Sequence, residues 1–233
     1  MNLPVAILAG GMATRLRPVT TRVPKILVEV AGRPFAEHQL DLLRGNGISR
    51  VVYCVGHRGE QVREAIGDGA RWGMRLEYVF DGPRLLGTGG ALRQALPVLG
   101  DAFFVLYGDS YLTCDFAAVQ AAFEHSGKAG LITVFRNDGA WDRSNVVFAD
   151  GVIRRYDKRA ASPDMRHIDY GLGILTRRAL ERWPAGDALD LAAVYQDLLA
   201  RDDLAGYEVP ERFYEIGSPG GLDELRKKLE ATS

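Results

Sequence analysis

The stretch PVAILAGGMATRLRPVTTRVPK, residues 4–25, decides the fold and carries the densest group of candidate functional side chains. It opens with an apolar run, residues 4–9, that predicts a short buried β-strand. Gly10 and Gly11 follow at once, and their missing Cβ atoms let backbone N–H groups approach a ligand closely. A strand that opens into a glycine-rich loop is typical of phosphate binding at the carboxyl edge of an α/β sheet.

Cationic side chains follow the glycines within the same stretch, together with the hydroxyl of Thr14. Arg15, Arg17 and Lys25 would compensate the charge of a bound polyanion. The stretch matches neither GxxxxGK[ST] nor the GxGxxG pattern of dinucleotide-binding folds. A glycine pair after a strand is also a common tight turn. The glycines alone therefore leave phosphate binding and an ordinary turn both open.

Length and composition describe an ordinary globular chain. The 233 residues are enough for one large domain, and 29 basic against 30 acidic residues leave a net charge of −1. That balance gives no reason to expect binding to nucleic acid or to a membrane surface. Cys54 and Cys114 lie near apolar runs and are predicted to be buried free thiols, as suits a reducing cytoplasm. No signal peptide or membrane-spanning run is recognised, so we expect a cytoplasmic protein.

Strand-like and helix-like segments alternate through the first half of the chain. The predicted strands cover residues 4–9, 50–55, 75–80, 103–107 and 130–135, and the predicted helices cover 34–46, 60–66, 89–98 and 115–126. This alternation predicts a three-layer, doubly wound, Rossmann-like α/β fold with a mixed, mostly parallel sheet.

The second half has a different pattern. Asp150 and Gly151 separate two strand-like segments, residues 145–149 and 152–157, which predicts a β-hairpin. A strand over 168–175 and helices over 189–201 and 219–231 follow. No linker composition or repeat interrupts the chain, so we expect one domain over residues 1–233.

Five further motifs place polar groups next to glycines or at strand ends. They are LGTGGAL at 86–92, YGD at 107–109, DK at 157–158, DYG at 169–171 and YEIGSP at 214–219. Each has an ordinary structural alternative, such as a helix cap, a turn or a solvated surface pair. The four histidines show no zinc-ligand spacing.

The 8–25 stretch resembles the signature of the sugar-1-phosphate nucleotidyltransferases, roughly GGxGTRLxPxT followed by Pro-Lys. The matching positions are Gly10, Gly11, Thr14, Arg15, Leu16, Pro18, Thr20, Pro24 and Lys25. Ala13 stands where the family has its third glycine, and Asp157, Asp169 and Glu215 replace the family's Glu, Asn and Asp. The resemblance runs over nearly the whole chain and divides it into a nucleotide-binding half, about 1–135, and a sugar-phosphate-binding half, about 136–233.

The resemblance also implies roles for individual residues. The implied catalytic residues are Arg15 and Lys25. The implied nucleotide-binding residues are Leu8, Ala9, Gly10, Gly11, Thr14, Gly87, Thr88 and Gly89. The implied sugar-phosphate-binding residues are Tyr107, Gly108, Asp157, Lys158, Asp169 and Gly171. Asp109 and Glu215 would hold Mg²⁺, and Asp115 is expected to act as a helix N-cap.

The implied reaction joins a nucleoside triphosphate and a sugar 1-phosphate into a nucleotide sugar, with release of pyrophosphate, for cell-surface glycan synthesis. The LGTGGAL form is similar to that of heptose- and mannose-1-phosphate guanylyltransferases, so guanine is the favoured base. The alternatives are uridylyl, thymidylyl or cytidylyl transfer to another sugar or to phosphocholine, and a catalytically weak nucleotide-sugar-binding protein. A homo-oligomer is one option for the assembly.

Overall fold

The computed structural model describes residues 3–11, 23–160 and 162–231. Its strands are β1 (Val5–Leu8), β2 (Glu29–Val30), β3 (Arg33–Pro34), β4 (Arg50–Val55), β5 (Arg75–Phe80), β6 (Ala102–Tyr107), β7 (Ser110–Tyr111), β8 (Gly130–Arg136), β9 (Val146–Ala149), β10 (Val152–Tyr156), β11 (His167–Thr176), β12 (Leu204–Glu208) and β13 (Tyr214–Glu215). Its helices are α1 (Phe35–Gly45), α2 (Gly59–Ile66), α3 (Gly87–Leu99), α4 (Phe116–Ser126), α5 (Arg177–Glu181), α6 (Leu191–Ala200) and α7 (Pro219–Glu230).

Nine of the described strands form one mixed sheet in the order β10-β9-β11-β6-β1-β4-β5, with β8 on β11 and β12 on β8. The strands β6, β1, β4 and β5 run parallel, whereas β11 is antiparallel to β6, β8 and β9. The chain therefore adds strands on both sides of β1. Ligands of open α/β sheets bind at such a reversal, outside the carboxyl ends of the strands.

Alternate residues of the central strands face opposite sides of the sheet. Val5 and Ile7 pack with α1 on one face, and Ala6 packs with α3 on the other. All three residues are fully buried. Helices on both faces make the three layers predicted from the alternating segments, and the Rossmann-like class is confirmed.

The predicted elements agree with the structure in kind, with differences at their ends. The helix predicted from residue 89 begins at Gly87, since the glycines of the LGTGG motif join its first turn. Asp115 is the N-cap of α4 and accepts hydrogen bonds from two backbone N–H groups, which confirms its structural role. The sequence analysis did not predict β12, the short helix α5, or the two-stranded ribbons β2–β3 and β7–β13.

Both cysteines are free and buried, as predicted. Burial raises the pKa of each thiol to about 12, so both remain protonated near neutral pH. Among the described residues, no helix has the length and apolar character needed to cross a membrane.

Candidate active site

A cavity opens at the carboxyl ends of β1 and β6, where the sheet reverses direction. Six of the predicted nucleotide-binding residues line this β1-side cavity: Leu8, Ala9, Gly10, Gly11, Gly87 and Thr88. A Cβ on Gly10 would lie 3.2 Å from the backbone nitrogen of Gly56, whereas one on Gly11 would have no atom of the described residues within 4 Å. Gly10 therefore packs closely against a neighbouring loop, and the described residues do not crowd Gly11.

A second cavity lies beside β11 and the hairpin. This β11-side cavity is lined by Lys158, Asp169 and Gly171 on one side and by Glu215 on the other. Tyr107 and Asp109 line both cavities. The carboxyl end of β6 therefore forms the boundary between two ligand-sized spaces.

An ion pair stands at this boundary. The Nζ atom of Lys25 donates to Oδ2 of Asp109 over 2.6 Å, with side-chain exposures of 18% and 31%. Lys25 begins a 3₁₀ turn that Pro24 precedes, and Asp109 follows β6 through Gly108. A Cβ on Gly108 would lie 2.6 Å from the carbonyl oxygen of Leu8, so glycine there lets the Asp109 turn press against β1.

Glu215, from the C-terminal part of the chain, lies beside the Lys25–Asp109 ion pair. It lies on β13, which pairs with β7 so that Glu215 faces Ser110, and Ile216 N–H donates to the carbonyl of Asp109. Gly217 lies next to the side chains of Glu215, Lys25 and Asp109. A Cβ there would collide with Oε2 of Glu215 and lie 2.9 Å from Lys25 Nζ and 3.3 Å from Asp109 Oδ2. Two carboxylates and one ammonium thus converge.

The Glu215 carboxylate lies against the N-terminus of α7. Its Oε1 accepts from the Ser218 hydroxyl over 2.6 Å, and Oε2 accepts from the Gly217 backbone N–H. Backbone N–H groups and the helix dipole stabilise a negative charge at such a position. The Glu215 carboxylate is therefore fixed in position beside Asp109.

Lys158 crosses the β11-side cavity and links two strands. Its Nζ lies 2.8 Å from the Tyr107 hydroxyl and 3.1 Å from Oδ2 of Asp169. Burial alone would lower the pKa of Lys158, but the adjacent Asp169 carboxylate more than offsets this, so the pKa is raised. Tyr156 also donates to Asp169, over 3.1 Å. The result is a fixed cation on the wall of the cavity.

The glycines of the LGTGG motif pack against the segment that precedes α6. The N–H groups of Gly89 and Gly90 both donate to the carbonyl oxygen of Leu189, over 2.9 and 3.1 Å. A Cβ on Gly87 would lie 2.7 Å from that same oxygen. The Thr88 hydroxyl accepts from Leu191 N–H. The close backbone contact thus explains why glycine occupies these positions. Gly87 and Thr88 also line the β1-side cavity.

Comparison with known proteins identifies the family of the chain. A model of the Nucleotidyl transferase family matches residues 5–150, which include β1, the LGTGG motif and Asp109. The chain belongs to the nucleotidyl transferase family.

Relatives within the nucleotidyl transferase family differ in base and sugar. UTP–glucose-1-phosphate uridylyltransferase of Synechocystis is 29% identical, over 87% of this chain and 56% of its own length. The beta catalytic subunit of mannose-1-phosphate guanylyltransferase of Drosophila melanogaster is 30% identical, over 91% of this chain and 59% of its own length. The chain thus spans a little over half the length of these relatives.

Solved structures share the fold at lower identity. HddC from Yersinia pseudotuberculosis, crystallised with GMP-PN, has a TM-score of 0.81 and 22% identity, covering 97% of this chain and 99% of its own. A putative glucose-1-phosphate thymidylyltransferase from Bacillus anthracis has a TM-score of 0.86 and 20% identity, covering 97% and 94%. The nucleotidyltransferase fold therefore extends beyond the matched 5–150 region to nearly the whole chain.

Some predicted site residues of this chain have another position or lie outside the described residues. Thr14, Arg15 and the exceptional Ala13 lie outside the described residues. The Asp157 carboxylate accepts from the backbone N–H groups of Arg159 and Ala160. These hydrogen bonds lower the pKa of Asp157 and fix it as a turn residue. Asp157 lines neither cavity, in contrast to its neighbour Lys158.

Asp81 lines the β1-side cavity and was missed by the sequence analysis. Asp81 directly follows β5, just as Asp109 closely follows β6. This position at a strand end could have identified Asp81 as a candidate site residue. Its side chain is buried, and Oδ2 accepts the Leu86 N–H over 3.1 Å. Burial raises the pKa of Asp81, and the Leu86 N–H partly offsets that effect.

Replacing Gly87 with alanine should destabilise the protein. Gly87 has φ of +70°, and the added Cβ would press on the Leu189 carbonyl. We expect a loss of about 1–3 kcal/mol in the free energy of unfolding, measured by urea denaturation. Gly45→Ala is the matched control, because that glycine ends α1 with open space around it. Equal stability of the two variants would contradict the packing role.

Proposed function

We propose that this chain transfers a nucleotidyl group from a nucleoside triphosphate to a sugar 1-phosphate and releases pyrophosphate. The observation that carries the proposal is the convergence of Lys25, Asp109 and Glu215 where the β1-side and β11-side cavities meet. Two cavities that share one charged boundary suit a reaction between two bound phosphates. Family membership and the uridylyl- and guanylyltransferase relatives support the same reaction.

In the proposed reaction, an oxygen of the sugar phosphate attacks the α-phosphorus of the triphosphate in line. A phosphorus–oxygen bond forms there as the bond to the β-phosphate oxygen breaks, and the electron pair leaves with pyrophosphate. The attacking oxygen is already anionic, so no base has to remove a proton. The protein must instead bring two polyanions together and compensate the charge that gathers between them.

Lys25 lines the β1-side cavity and Lys158 lines the β11-side cavity, so each would compensate the charge of a different phosphate. Lys25 would compensate charge at the α-phosphate, since its ammonium lies at the shared boundary. Lys158 would bind the sugar phosphate, because two of its three N–H donors engage Tyr107 and Asp169 and one is left for a ligand. From its place in the sequence motif, we assign Arg15 to the triphosphate.

Asp109 and Glu215 would hold Mg²⁺. A pair of carboxylates matches the preference of this ion for oxygen ligands, and phosphate oxygens and waters would complete its coordination. No group of three or more His, Cys, Asp or Glu side chains suited to a metal occurs among the described residues, so substrate phosphates would have to contribute. When bound, Mg²⁺ would add positive charge beside the reacting phosphates.

The reaction is tested by measuring pyrophosphate release with GTP, UTP, TTP and CTP against a panel of sugar 1-phosphates and phosphocholine. We expect release only with matched pairs that contain a sugar 1-phosphate. A folded protein that binds nucleotide sugars but releases no pyrophosphate with any pair would contradict the enzymatic proposal.

Guanine is the base we assign, because a buried carboxylate lines the nucleotide cavity. Guanine presents adjacent N1–H and N2–H donors, which a carboxylate accepts as a pair, whereas uracil and thymine present a single N3–H. Asp81 can act in this way, since among the described residues only Leu86 N–H donates to it and only through Oδ2. Mannose-1-phosphate guanylyltransferases among the relatives fit this assignment.

Asp81→Asn should reduce the preference for GTP over UTP by about 10–100-fold, because one acceptor oxygen becomes an NH₂ donor. The measurement is kcat/KM for each triphosphate with one acceptor. Asp101→Asn is the control, since this exposed aspartate precedes β6 at the opposite end of the strand. An unchanged GTP/UTP ratio in Asp81→Asn would remove Asp81 from base recognition.

A further inference from the structure

An aromatic ring lines the β11-side cavity without a role in the proposed reaction. Trp141 is 50% exposed, one of the few large apolar side chains left so open in the described residues. It lies between β8 and β9, beside the cavity that also contains Lys158. Aromatic rings with a few placed polar groups are the usual lining of small-molecule sites.

The loop that carries Trp141 is held by a single buried side chain. Asn137, 2% exposed, accepts the Trp141 backbone N–H through Oδ1 over 3.2 Å. Its amide nitrogen donates to the Asp142 carbonyl over 2.5 Å and to the Ser144 hydroxyl over 3.0 Å. All of these hydrogen bonds fix the loop, so the indole is positioned before any ligand binds.

A guanidinium fixes the ring itself. The Cζ atom of Arg212 lies 3.5 Å from the Trp141 ring centroid and 5.0 Å from that of Tyr214. Arg212 also donates to Glu224, which compensates its charge. One face of the indole is therefore occupied by a cation.

We infer that Trp141 is the platform on which the sugar ring of the acceptor stacks. A pyranose carries contiguous C–H groups on one face, and such a face packs well on an aromatic ring. With the sugar phosphate at Lys158, the ring would extend along the same cavity toward Trp141. The inference rests on the proposed function and narrows its acceptor to a cyclic sugar phosphate. Phosphocholine has no sugar ring to stack on Trp141, so the inference does not accommodate it as the preferred acceptor.

The experiment uses the purified full chain and glucose, mannose and N-acetylglucosamine 1-phosphates, with pyrophosphate release as the readout. With the best acceptor, Trp141→Ala should raise the acceptor KM about tenfold. The KM for the triphosphate and the melting temperature should stay unchanged, and Trp141→Tyr should restore most of the acceptor affinity. Val152→Ala is the matched control, because Val152 is also exposed and apolar but lies on the hairpin away from both cavities.

Binding is also followed without turnover. Saturation of the aromatic protons should transfer to the C–H protons of the bound sugar phosphate by NMR in wild type, and this transfer should be lost in Trp141→Ala. An acceptor KM unchanged in Trp141→Ala would overturn the inference and leave the proposed reaction intact. Equal changes in both KM values with a lower melting temperature, or preferred use of phosphocholine, would overturn it as well. No pyrophosphate release from wild type with any pair would remove the proposed function and this inference together.

Discussion

Lys25→Ala should lower kcat by about 10²–10³-fold, the usual cost of removing one preorganised charge beside a reacting group. The ammonium lies 2.6 Å from Asp109 at the boundary of the two cavities. The fold should survive, because Asp109 is partly exposed and water can take the place of the lost ammonium. Steady-state kinetics measure kcat, and circular dichroism on the same preparation measures whether the variant is folded.

Lys128→Ala is the matched control for Lys25→Ala. Lys128 pairs with Asp202 over the same 2.6 Å, but neither residue lines either cavity. Its loss should leave kcat unchanged. If Lys25→Ala keeps near wild-type kcat while remaining folded, Lys25 does not take part in the reaction.

Asp109→Asn should abolish most of the metal-dependent activity, with kcat/KM reduced at least about 100-fold. The substitution removes a carboxylate from the proposed Mg²⁺ site and weakens the ion pair with Lys25. Wild type should lose activity in excess chelator and recover it with added Mg²⁺. The variant should require a higher Mg²⁺ concentration for half-maximal rate.

The control for Asp109→Asn lies a few residues further along the chain. Asp115→Asn keeps an N-cap acceptor for α4 and should retain full activity. Full wild-type activity in excess chelator would refute the metal role of both Asp109 and Glu215.

Local patterns were sufficient to predict the elements that carry the site. The apolar run before Gly10 is β1 and the apolar run before Gly108 is β6, so Gly10 and Asp109 lie at one edge of the sheet. Parallel strands bring their carboxyl ends together, and the order of segments alone indicates this. The turn role of Asp157 was missed, because the hydrogen bonds of its carboxylate depend on the path of the loop at residues 157–160.

Contacts between distant segments account for what the sequence analysis missed. The Leu189 carbonyl contacts the LGTGG glycines, and Arg212 packs on Trp141. Both contacts join loops, and the conformation of a loop is not specified by any periodic sequence pattern. Asp81 was missed for another reason. Gly82 and Pro83 follow it, so the segment has the composition of an ordinary turn.

Because β7 pairs with β13, the proposed metal site is completed late in the synthesis of the chain. The parallel strands β1, β4, β5 and β6 are all encoded before residue 108, yet Glu215 joins Asp109 only through a strand near the end of the chain. A nascent chain can therefore complete its nucleotide-side layer while the second acid is still inside the ribosome. The proposed metal centre is therefore completed only after all nine described strands of the main sheet have been synthesised, and a chain that stops between β12 and β13 has those strands but lacks Glu215.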